Sequence, residues 1–218
     1  MQRTKIEWAD YSWNPIKGMC PTGCWYCYAR RMYQRFGLDA EIRLDVDELM
    51  ADFPKKPSRI FVCSTFELFH PLADPYRRNV FRHIRLTPEH TFIILTKMPE
   101  RIDRLMPDNV WLGTTITQQN EASRKADLMK HEARIRFISY EPMLDGLDPA
   151  ILNGLDWAIL GRLTGHGRRH DPEPELIEAF IDDAKIMGVP LFLKDNLEEI
   201  CGEDAWGEPL IQEFPIEG

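Results

Sequence analysis

Residues 59–97 read RIFVCSTFELFHPLADPYRRNVFRHIRLTPEHTFIILTK. The stretch begins and ends on short runs rich in Ile, Val, Phe and Leu, RIFVCST (59–65) and HTFIILTK (90–97). Neither run alternates apolar with polar residues, which is how strands buried on both faces of a parallel sheet read. Between them, 74–85 has the spacing of an amphipathic helix. The same alternation continues through VWLGTTIT (110–117), RIRFISYEP (134–142), DWAILG (156–161) and PLFLK (190–194). Further helices are expected over 99–106, 119–131 and 173–187. The last has Asp171 or a neighbour as its cap, prolines and acids in its first turn, and Gly188 as its stop. One more helix is expected from about Cys24 to Phe36.

Repeated strand–helix alternation defines an α/β protein with a parallel sheet. Polar residues gather where each strand ends: Ser64, Thr65 and Glu67; Thr96 and Lys97; Thr114, Thr115 and Thr117; Ser139 and Glu141; Arg162 and Thr164; Lys194 and Asp195. In barrel-type α/β folds the active site lies at the C-terminal ends of the strands. A complete eightfold barrel takes ~250 residues, more than the 218 of this chain. The expectation is an α/β fold of the incomplete (β/α) TIM-like barrel kind, with six or seven parallel strands in a single domain over 1–218. An open doubly wound sheet is the alternative, and the lack of a Gly-rich phosphate fingerprint after the first strand weakens it.

Hydrophobic residues make up 44% of the chain and charged residues 28%, enough apolar material for a full core. No apolar run approaches the ~20 residues of a membrane helix. The N-terminal MQRTKIEWAD lacks the apolar segment of a signal peptide. A cytoplasmic protein with reduced thiols is expected. The net charge of −8 argues against tight, sequence-independent duplex binding and favours nucleotide-sized substrates, although YARRMYQR (28–35) and GHGRRH (165–170) are local basic patches.

Three of the five cysteines crowd into GMCPTGCWYCYARRM (18–32) as C-x3-C-x2-C. A disulfide there would leave one thiol over. A structural zinc site needs four ligands, the fourth being Cys63, Cys201 or a distant histidine. A redox pair of Cys24 and Cys27 gives Cys20 no role. An iron–sulfur cluster is held by thiolates, and three ligands leave a fourth iron open for a substrate or cofactor. Cys63 reads as a small buried hydrophobe. His70 is either a ligand or proton donor, or a hydrogen-bonded structural residue.

The loop's spacing, with the aromatic Tyr26 before its last cysteine, resembles the radical S-adenosylmethionine (SAM) superfamily. The stretches TKIEWADYSWNPIKG, RIFVCSTFELFH, HTFIILTKMPERI, VWLGTTITQQN, RFISYEPML, LDWAILG and GVPLFLK resemble a family of phage-associated radical-SAM-like proteins. Many of those relatives have a longer gap between the first two cysteines, and many carry GGESG where this chain reads GRLTG (161–165). The lost acid and the arrival of Arg162 point to a changed substrate pocket.

The resemblance implies a four-iron–four-sulfur cluster held by Cys20, Cys24 and Cys27 in a loop at about 18–28, with SAM on the open iron. It implies SAM contacts from Tyr26, from Ser64, Thr65 and Glu67, and from Thr115, Thr117 and Gln118. Lys97, Glu141 and Lys194, at three strand ends, are candidates for substrate binding and proton transfer. Arg162, Arg168, Arg169 and His170 are candidates for a substrate phosphate. The implied partners are an external electron donor of flavodoxin type and a DNA or nucleotide substrate, with no membrane and a monomeric enzyme, in the host cytoplasm if phage-encoded. The reaction implied is isomerisation of glycyl-thymidine in thymidine hypermodification of phage DNA. The alternatives are a radical SAM lyase or modifying enzyme acting on RNA, a DNA lesion or a peptide and, from another class, a non-catalytic metal-binding interaction module.

Overall fold

The computed structural model describes residues 1–200 and 210–216. The chain forms two compact units, Met1–Leu112 with His131–Arg134, and Gly113–Lys130 with Ile135–Gly218. Cys201 lies outside the described residues.

In the first unit, β1 (Gln2–Arg3) pairs antiparallel with β2 (Tyr11–Trp13), which runs parallel to β5 (Arg59–Val62). Strand β5 in turn runs parallel to β6 (Thr91–Thr96). Two short strands, β3 (Ile16–Lys17) and β4 (Arg43–Leu44), form a separate antiparallel pair. The helices are α1 (Tyr28–Phe36), α2 (Val46–Leu49) and α3 (Asp74–Leu86). The β5–α3–β6 segment follows the opening stretch of sequence closely. Its apolar positions fill a core in which Ile60, Phe69, Phe81, Ile84, Phe92 and Ile93 are fully buried. The Trp13 and Phe53 rings meet edge-on at 5.3 Å, and Phe53 meets Phe92 at 5.6 Å, a geometry that adds to the burial of apolar area.

Strand β7 (Val110–Thr115) is common to both units, with Gly113 as the first residue of the second. The second unit holds α4 (Ser123–Leu128), β8 (Ile135–Tyr140), β9 (Trp157–Leu160), α5 (Pro174–Met187) and β10 (Leu191–Leu193). Strands β8 and β9 pair parallel, as do β9 and β10. The core is built on Phe137, Trp157 and Phe192, with Phe214 stacked on Trp157 at 5.7 Å. A Cβ at Gly113 would lie 2.4 Å from the Phe137 ring, so this strand position has room only for glycine. Residues near Gln212 run antiparallel beside β10, with Leu193 N–H donating to Ile211 O at 2.8 Å, and so cover its edge.

The strand order is β1-β2-β5-β6-β7-β8-β9-β10, a large and mostly parallel sheet of the expected α/β class. All six expected strands form. The helix expected over 99–106 is a single 3-10 turn, Pro99–Arg101. That expected over 119–131 shrinks to a 3-10 turn, Gln119–Glu121, followed by α4. Among the described residues, no helix is long and apolar enough to cross a membrane.

Candidate functional site

The cysteine loop belongs to the first unit and lies between β3 and α1. Helix α1 begins at Tyr28, so Cys27 is its N-cap, and the Cys27 Sγ accepts from Arg30 N–H at 3.4 Å. Helix N-termini favour negative charge, which a thiolate supplies. The Arg30 guanidinium folds back to donate to Cys20 O at 3.2 Å, and the Cys20 thiol donates to Thr22 Oγ1 at 3.3 Å. Gly18 sits at φ +112° with the Glu41 carbonyl 2.5 Å from where a Cβ would stand, so the loop's entry is closed to any larger residue.

Cys20, Cys24 and Cys27 are free thiols of intermediate exposure. Burial raises the Cys24 pKa, the Lys97 charge opposes this, and the neighbouring Cys27 and Cys20 add to the rise. The three sulfurs are thus electrostatic neighbours. Among the described residues, no group of three His, Cys, Asp or Glu side chains stands ready to hold a metal ion. The donor set itself, three thiols on one loop with a helix N-terminus behind the last, suits a soft thiophilic metal or iron–sulfur cluster.

A chain of hydrogen bonds ties this loop to the ends of β5 and β6. Glu67 is buried, with Oε1 accepting from Thr96 Oγ1 at 2.5 Å and Phe69 N–H at 3.1 Å, and Oε2 accepting from Lys97 N–H at 2.8 Å. Burial raises its pKa, and those three donors oppose the rise. Lys97 Nζ donates to the Tyr26 hydroxyl at 2.8 Å and lies 5.3 Å from the centre of the Tyr26 ring. Tyr28 OH donates to Ser64 O at 3.1 Å. Ser64 Oγ and Thr65 N–H both donate to Asn14 Oδ1, at 3.1 and 3.3 Å. Asn14 follows β2 and is a strand-end residue that the sequence reading missed.

Cys63 lies just past the end of β5, at φ 54°, rather than within the strand. Burial pushes its thiol pKa up to about 12. His70 Nδ1 accepts from Leu72 N–H at 3.2 Å and caps a 3-10 turn, the structural alternative for this residue. Arg77, also missed, is buried beside it and donates to Leu68 O and His70 O while pairing with Asp74 and Asp103.

The second unit carries its own strand-end groups. Lys194 Nζ lies 2.5 Å from Glu141 Oε1, forming an ion pair between the ends of β10 and β8. Gly161, at the end of β9, leaves room for the pair, because a Cβ there would stand 3.0 Å from Lys194 Cδ and 3.1 Å from Glu141 Cδ. The structure therefore brings Glu141 and Lys194 together, while Lys97 is held by Tyr26 and Glu67 in the first unit. Thr117 donates through N–H and hydroxyl to Glu121 Oε2, at 2.8 and 2.9 Å, and Arg124 pairs with the same oxygen at 2.9 Å. Glu121 and Arg124 were not read as site residues. Thr115 is buried and its carbonyl accepts from Arg124; Gln118 starts the following 3-10 turn without a side-chain cap.

Arg162 is buried and committed. It donates through N–H and Nε to Asn196 and pairs with Asp171 at 3.2 Å and with Glu199. Arg168 is exposed and lies 3.6 Å from Glu199, while Arg169 Nε donates to His170 Nε2 at 2.9 Å. The expected phosphate grip is thus divided between a filled ion-pair network and an outer loop.

The profile of a protein family of unknown function, DUF5131, matches residues 3–200, and the chain belongs to that family. No curated protein and no solved structure matches the chain.

Proposed function

We propose that the chain is a radical SAM enzyme whose cluster is held by Cys20, Cys24 and Cys27. The observation that carries this is the loop itself: three free thiols, spaced C-x3-C-x2-C, with the last one capping a helix. When bound, the four-iron–four-sulfur cluster and SAM supply a 5′-deoxyadenosyl radical for hydrogen abstraction. Arg30 and Gly18 hold the loop's shape, and Lys97 fixes Tyr26, which orients the adenine end of SAM. The family resemblance names Ser64, Thr65 and Glu67, and separately Thr115, Thr117 and Gln118, as SAM contacts. Glu141 and Lys194 offer a proton donor–acceptor pair for the substrate. The sheet belongs to a partial barrel. The substrate is a modified thymidine in phage DNA, glycyl-thymidine, which the enzyme isomerises as a monomer drawing electrons from an external donor.

Anaerobic reconstitution with ferrous iron and sulfide tests the cluster. Expected are iron and sulfide in equal amounts, broad visible absorption, and 5′-deoxyadenosine from SAM under dithionite, all lost in Cys→Ala variants at 20, 24 or 27. A colourless protein holding zinc, with no SAM cleavage, overturns the reading. Nucleoside analysis of glycyl-thymidine DNA after turnover tests the substrate, and an unchanged nucleoside profile removes it.

A further inference from the structure

Helix α1 is unlike the rest of the chain in charge. Its sequence YARRMYQRF holds three arginines and no acid, in a protein of net charge −8. Ala29 and Tyr33 face inward, and at 100° per residue Tyr28, Arg31 and Arg35 fall on the opposite side. Trp25 precedes them in the turn between Cys24 and Cys27 and is 54% exposed, and Tyr28 is 53% exposed. Of the acids that follow α1, Asp39 is paired with Arg43 at 2.8 Å.

Large exposed aromatics beside arginines are the composition of binding hot spots between proteins. A positive patch on an acidic chain selects an acidic partner and steers its approach. The location narrows the partner further. Trp25 is bonded directly to Cys24 and lies two residues before Cys27, so whatever docks here sits against the proposed cluster ligands.

We propose that the Trp25–Tyr28–Arg31–Arg35 face is the docking surface for a small acidic electron-carrier protein. This rests on the radical SAM reading and names where its electron enters. One electron leaves the reduced carrier and one enters the cluster, with no bond made or broken. The contact is of the small, transient kind found in electron transfer.

The test uses the full chain and reduced flavodoxin as the carrier, with rates of cluster reduction followed optically. In the R31E/R35E variant the rate with flavodoxin is expected to fall roughly tenfold, and the wild-type rate to fall as salt rises. Reduction by dithionite, which needs no docking surface, is expected to be unchanged. The milder R31Q/R35Q pair should fall between. Binding of labelled flavodoxin, read by fluorescence anisotropy, scores the same surface whether or not the cluster has been loaded. An unchanged flavodoxin rate and affinity in R31E/R35E overturns the docking proposal while leaving the cluster reading intact. Failure to form a cluster, with flavodoxin binding still lost in R31E/R35E, overturns the reaction and keeps the surface. Loss of single-stranded oligonucleotide binding with flavodoxin affinity unchanged reassigns the face to nucleic acid and overturns the proposal.

Discussion

The two units end their strands differently. In the first, polar groups brace a loop: Glu67 collects three donors, Lys97 reaches Tyr26, and Asn14 gathers Ser64 and Thr65, while three thiols stay partly exposed. In the second, charges meet one another: Glu141 with Lys194, Glu121 with Arg124, and Arg162 with Asp171 and Glu199. One set of strand ends spends its hydrogen bonds on holding the cysteine loop. The other pairs its named charges with one another.

The sharpest way to break this contrast is at the thiols. Cys24→Ala should abolish iron retention after reconstitution, whereas Arg162→Met should leave iron content at the wild-type level. Equal loss in both, by metal analysis, would dissolve the distinction. Next in size is Glu67→Ala, which leaves three donors without their acceptor and should lower stability by roughly 2–3 kcal/mol in chemical denaturation. Glu141→Gln should cost less, about 1 kcal/mol or under, because the Glu141–Lys194 pair is partly exposed and screened. A cost matching that of Glu67→Ala would show that the second unit is braced too.

The smallest effect is a pH slope. His90 is buried against Phe53 and Phe92, and among the described residues neither ring nitrogen has a hydrogen-bond partner. Burial lowers its pKa, with Glu89 opposing. A histidine depressed in the folded state binds its proton more readily when unfolded. Its penalty is therefore absent above about pH 6.5 and grows as pH falls through that value. His90→Phe should flatten the stability profile below pH 6.5, as read by thermal unfolding at several pH values, and leave it unchanged at pH 8.

The six expected strands were legible because continuous apolar runs have few other uses in a chain of this composition. Strand β2 was not, since YSW carries a serine and lies in no continuous apolar run. Helical spacing over 99–106 misled, because Pro99 permits a first turn and the chain then leaves the helix, Ile102 having φ −68° and ψ 118°. The crowding of three thiols on one loop was legible from spacing. Asn14, Glu121 and Arg77 could not, because their roles come from partners that only the folded backbone brings near. The partners of Arg162, namely Asp171 and Glu199, likewise come from the folded backbone.

Cys27 serves two masters. Its sulfur accepts the Arg30 amide and so defines where α1 starts. The same atom is a proposed ligand, and metal capture by unprepared ligands is also a folding event. The first turn of α1 therefore doubles as a gauge of occupancy. The exchange rate of a single amide, that of Arg30, would tell a loaded protein from an empty one before any substrate is added.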